Sequence, residues 1–162
     1  MRCLPAILIA LAAVPALAQD ANLKALADLQ GQSIEKSAVG SWVKVRDGNG
    51  KEIRITLLKK EKGTAGWNVT STFEPGGEVK SIVGSVDQLA KLPDKVTAVK
   101  DESLTIGGKQ YACKVFTHAS GQKAWSCVDV PLGGSAKVVG PKGEPFFTVL
   151  EIGATPAGAA GK

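Results

Sequence analysis

One histidine, three cysteines and an aromatic content of 5% leave this chain poor in the usual catalytic material. The lone histidine, His118, rules out a paired-histidine zinc or copper site, and no Cys-x-x-Cys stands in for one. There is no G-x-S-x-G elbow and no G-x-x-x-x-G-K-[ST] loop. Gly107-Gly108-Lys109 is hairpin punctuation, because no helix follows it to hold a phosphate. The neighbouring carboxylates Asp101-Glu102 fall in an expected loop and need no acid-base role. Neither a metal nor any other cofactor is implied, and the chain reads as a non-enzyme.

Arginine is scarce as well, with only Arg2, Arg46 and Arg54. The net charge of +5 comes from lysines scattered along the chain, and Lys59-Lys60-Glu61-Lys62 is their one short cluster. Nucleic-acid surfaces concentrate Arg and Lys in a patch with interleaved aromatics, so no nucleic-acid partner is expected. Scattered lysines make a soluble surface, protect strand edges and permit weak attraction to an anionic envelope.

The only long apolar run, Leu4–Leu17, follows Arg2 and ends at Ala16-Leu17-Ala18. A positive start, an apolar stretch and a small-x-small site read as a cleavable signal peptide over residues 1–18, cut after Ala18. The mature chain then carries no membrane span and is periplasmic or secreted. Cys3 lies too early in the run to be a lipid-modified cysteine, and it leaves with the signal.

What remains is organised around Ile106–Lys137. Tyr111–Thr117 and Ala124–Val128 are rich in β-formers and flank His118-Ala119-Ser120-Gly121-Gln122, a loop suited to a hairpin. If Val115 faces Trp125, the register sets Cys113 opposite Cys127. In an oxidising compartment that pair forms a disulfide worth about 3 kcal/mol, two buried thiols being the other reading. His118 at the turn tip is expected to be solvated.

Asp20–Gln30 has helical spacing, with Asp20 as N-cap and Gly31 as stop, and residues 32–39 read as a connector. Strands follow at Trp42–Arg46, Glu52–Lys60, Trp67–Phe73 and Val79–Gly84, the first two joined by the Asp47-Gly48-Asn49-Gly50 turn. Asp87–Leu92 reads as one helical turn, capped by Asp87 and stopped by Pro93. Val96–Lys100 reads as a short edge strand and Leu104–Ile106 as a lead into the hairpin. Ser135–Val139 and Phe146–Ile152 complete the set, and residues 153–162 form a Gly/Ala/Pro tail expected to be disordered. The expected fold is mainly β. It is a single domain over residues 19–152, with one antiparallel meander of about nine strands curled into a half-open barrel and one N-terminal helix laid on it. A closed barrel or a sandwich is the other way to dispose of the edges.

Trp42, Trp67 and Trp125 each fall on an apolar strand face, and Phe73, Tyr111 and Phe147 could join them. Such residues either pack the core or line a cavity for a hydrophobic small molecule or lipid, and alternation alone does not separate the two.

The series Gly107-Gly108-Lys109, Tyr111-x-Cys113-Lys114-Val115, Trp125-Ser126, Val130-Pro131-x-Gly133-Gly134, Lys137-Val138 and Glu151-x-Gly153 resembles short exported bacterial proteins of unknown role. Those are similar, at fold level, to the periplasmic lipoprotein-carrier family, a half-open β-barrel with a helical lid over an apolar cavity. The resemblance covers roughly the last third of the chain and implies hydrophobic-ligand binding through general apolarity. It transfers no ligand residue, and the long mid-chain lid helices of that family have no counterpart here beyond Asp87–Leu92. Two functions follow: a non-catalytic periplasmic protein that binds a lipid or lipidated peptide, or an envelope protein–protein interaction module with a solid β core.

Overall fold

The computed structural model describes residues 16–154. Its elements run α1 (Ala16–Lys36), β1 (Ser41–Asp47), β2 (Glu52–Lys62), β3 (Trp67–Glu74), β4 (Glu78–Val83), α2 (Val86–Ala90), β5 (Val96–Ile106), β6 (Lys109–His118), β7 (Lys123–Ser126), β8 (Ser135–Val139) and β9 (Pro145–Ala154). The expected mainly β architecture is what forms: one antiparallel sheet of nine strands with an N-terminal helix. The sheet does not close, and β4 and β5 are its two edges.

The strand order β4-β3-β2-β1-β9-β8-β7-β6-β5 is two meanders joined at the middle rather than one. β1 pairs with β9 along its whole length, from Ser41 opposite Ala154 to Asp47 opposite Phe147. Gly153 and Ala154 are thus strand residues, not tail; the rest of the expected tail, 155–162, lies outside the described residues, as do residues 1–15 of the expected signal. Cleavage after Ala18 would take only the first turn of α1 and none of its core leucines.

Local chemistry explains the turns. Asp47 Oδ1 accepts from the N–H groups of Asn49 and Lys51, both at 2.9 Å, and Gly50 supplies the left-handed residue that closes the β1–β2 hairpin. At the β6–β7 turn His118 N–H donates to Gln122 O at 2.9 Å. The register follows as the residues foretell: Val115 opposite Trp125, Lys114 opposite Ser126, and a Cys113–Cys127 disulfide with Cα atoms 4.1 Å apart.

Two boundaries differ for tertiary reasons. α1 does not stop at Gly31 but continues to Lys36, through most of the expected connector. A glycine within a helix costs about 1 kcal/mol relative to alanine. Here contacts from outside offset it. Lys60 Nζ donates to the carbonyls of Ile34 and Glu35 at 2.9 and 2.7 Å, placing a cation on the negative end of the helix. Ser33 Oγ donates to Val130 O at 2.5 Å, and Lys36 pairs with Asp129 at 2.9 Å. β5 is likewise one strand of eleven residues where a short edge strand and a separate lead were expected. Asp101, Glu102 and Ser103 pair with Lys114, Cys113 and Ala112, so the polar run is carried by the ladder of β6. The short helix α2 is capped by Ser85, whose side chain accepts from Gln88 N–H, rather than by Asp87.

Three apolar clusters hold these layers together. Leu23, Leu26 and Leu29 of α1 pack on Val96 and Phe116. Ile34 meets Leu57 and Val69, with Trp67, Val83 and Leu132 at the margin. The largest joins Val43, Val45, Val149, Ala136 and Val130 to Ile106 and the disulfide. Val115 and Phe116 are consecutive, point to opposite faces, and are both 0% exposed, so β6 is covered on both sides. No helix among the described residues is long and apolar enough to cross a membrane.

Candidate functional site

α1 contacts both β4 and β5 and so lies across the gap between the sheet edges. Where its outer flank leaves the β5–β6 hairpin, a groove of about 630 Å³ opens. The helix supplies Ala25, Asp28, Leu29 and Gln32, spaced so that they share one flank next to the buried leucines. The facing wall includes Ala112 and Val128, small apolar groups that leave room where larger ones would fill it, whereas the side chain of neighbouring Cys113 turns to the other face of the strand, into the disulfide.

Charges ring this groove in neutral pairs. Lys24 bonds Asp28 at 2.6 Å and Lys114 bonds Asp101 at 2.7 Å. Glu102 accepts from Lys100 at 3.0 Å and from the Trp125 indole N–H at 3.1 Å. The Lys100 hydrogen bond first, and then that of Trp125, hold the Glu102 carboxyl below the usual carboxylate range. The groove thus combines small apolar side chains with charges that compensate one another in pairs.

A second recess of about 500 Å³ lies where α1 passes the starts of β3 and α2. Its wall is Trp67, and its backbone approaches depend on glycine: a Cβ on Gly84 would sit 3.0 Å from the Cα and N of Gly31.

The six aromatics singled out in the sequence do not share one cavity. Tyr111, Trp125 and Phe147 border the largest cluster, and Trp67 borders the one formed by Ile34, Leu57 and Val69. Trp42 lies against Gly153, where a Cβ would come within 2.4 Å of its ring, with the Arg54 guanidinium 4.2 Å from its centroid. Phe73 is half-buried near the Pro75-Gly76-Gly77 turn. Lysines cover most of the remaining rings, Lys60 and Lys62 over Trp67, Lys109 over Tyr111 and Lys137 over Trp125, at 5.0–5.9 Å. These are amphipathic packing positions, their apolar bodies inward and their faces topped by charge.

His118 is not solvated at the turn tip: its side chain is 10% exposed, and Nδ1 donates to Asp94 O at 3.1 Å. The Asp94 carboxylate accepts from Ser120 Oγ at 2.5 Å and Ser120 N–H at 3.0 Å. Those Ser120 bonds, the hydroxyl's foremost, lower the Asp94 pKa. The three residue types of a hydrolase triad are therefore near one another but wrongly ordered. The serine hydroxyl is given to the aspartate, and the imidazole faces a carbonyl, so nothing takes a proton from the serine. Among the described residues no group of three or more His, Cys, Asp or Glu is placed to hold a metal.

Comparison with protein-family models, with curated proteins and with solved structures matches this chain to none of them.

Proposed function

We propose that the chain is an exported, non-catalytic periplasmic protein that binds a hydrophobic ligand, the acyl chain of a lipid or lipidated peptide, in the groove between α1 and the β5–β6 hairpin. The observation that carries this reading is the groove itself. Its volume falls in the range of roughly 300–1,000 Å³ typical of small-molecule sites, and Ala25, Leu29, Ala112 and Val128 give it an apolar lining. The Cys113–Cys127 bridge and the apolar run Leu4–Leu17 support the compartment. Delipidated protein should take up an environment-sensitive fluorescent fatty acid with micromolar affinity. Ala112→Trp, at an exposed strand position on the groove wall, should weaken uptake about tenfold or more while leaving the melting temperature nearly unchanged. No uptake by the wild type, or uptake indifferent to that substitution, rejects the reading.

The filled interior favours a second reading, an envelope protein–protein interaction module. Ile34, Leu57, Val115, Phe116, Cys127 and Val130 are all fully buried, and they pack the space a carrier would keep open. Recovery of a stoichiometric partner from cross-linked cells, with no fatty-acid uptake, selects this alternative.

A further inference from the structure

The edge strand β4 is the barest part of the sheet. Glu78 through Ile82 are exposed without interruption, and Val79 and Ile82, on opposite faces, keep 47% and 45% of their surface. The opposite edge, β5, is screened by consecutive charges at Lys100, Asp101 and Glu102, while α1 touches both edges.

The ladder phase says which groups β4 presents. In the β3–β4 hairpin Phe73 N–H donates to Gly77 O at 3.1 Å, and Ser71 pairs with Val79, Val69 with Ser81 and Trp67 with Val83. Hydrogen-bonded pairs alternate along an antiparallel ladder. The backbone N–H and C=O groups of Val79, Ser81 and Val83 are therefore used inward, and those of Glu78, Lys80 and Ile82 point outward. An antiparallel strand arriving from outside must bond at those three residues.

We propose that the occupant is β4 of a second copy of this chain, paired about a two-fold axis through Val79. In that register Glu78 of one copy faces Lys80 of the other, and the reverse, while the two Val79 side chains meet at the axis. Charge selects it. The next register that the outward groups allow is centred on Lys80 and opposes two lysines; one centred on Ser81 gives neither Glu78 nor Lys80 an opposite charge. The pairing is isologous and joins two nine-stranded sheets into one. It buries less than the roughly 1,200 Å² of a stable specific interface, so it forms in concentrated solution. It is independent of whether the groove holds a ligand.

Sedimentation equilibrium of the full chain tests it. The apparent mass should rise from one chain toward two between about ten micromolar and about one millimolar. Glu78→Lys and Lys80→Glu should each weaken association about tenfold, and the double exchange should restore it to within about threefold. Both side chains are exposed, and an unchanged melting temperature confirms that each variant is folded. A mass that stays that of one chain overturns the proposal. So does association indifferent to the single exchanges, or one that the double exchange does not restore.

Discussion

Replacing Gly84 by alanine isolates how much stability comes from laying α1 against the β4–α2 turn. Gly84 has φ +75°, and a Cβ there would meet Gly31 Cα and N at 3.0 Å and Ala27 O at 3.1 Å, all helix backbone that has no rotamer with which to yield. Gly50 is the matched control, with φ +82° and nothing within 4 Å of the added carbon. Both substitutions force an L-residue into the left-handed region, at about 1–2 kcal/mol, and both stiffen the unfolded chain by similar amounts. Only Gly84→Ala adds the cost of pushing the helix off, about 1–3 kcal/mol by analogy with overpacked cores. Gly50→Ala should therefore lower the urea-unfolding free energy by about 1 kcal/mol, and Gly84→Ala by about 3 kcal/mol. Amide exchange over Leu23–Lys36 should quicken only in the second variant. Equal losses, or unchanged helix protection in Gly84→Ala, would mean that α1 is not held by this approach and would refute the reasoning.

Two further outcomes follow from geometry already described. The paired change Cys113→Ala, Cys127→Ala opens a loop with a sequence separation of 14 and should cost about 3 kcal/mol in denaturant titration, with the β6–β7 amides losing protection first. The acid limb of stability should carry a contribution from Asp94. Its folded pKa lies below the ordinary value of 3.8, so the contribution is complete above the unfolded pKa and is lost as pH falls through the folded one. Asp94→Ala should be less stable than wild type near neutral pH, with urea midpoints converging as pH drops below about 4. A gap that persists to pH 2 would assign Asp94 a role unrelated to its charge.

Much of the fold was legible because its determinants are local. Gly121 and the two cysteines set the β6–β7 register between them, and the Asp47 side chain writes the β1–β2 turn in four residues. What escaped is non-local. Nothing near Trp42 announces that its strand pairs with Gly153, and nothing near Gly31 reveals that Lys60 caps the helix from another strand. Asp101-Glu102-Ser103 looks like a loop until Lys114 and Ala112 arrive beside it. The groove was harder still. Ala25, Ala112 and Val128 are small residues of no chemical distinction, and the one trace of them was the spacing of Ala25 and Leu29 beside the core stripe. Large aromatics drew attention because alternation places them on apolar faces, but several of those faces end under a lysine or arginine.

The marriage of β1 to β9 has a consequence for how the molecule comes into being. Each half can zip up from neighbouring hairpins, yet the seam between them requires Ser41 to find Ala154, with nearly the whole described chain intervening. Until β9 is in place, β1 and β8 stand as two open borders that the finished sheet closes, in addition to the β4 and β5 edges that it keeps. Sealing that seam is therefore a long-range event, slower than the zipping of either half.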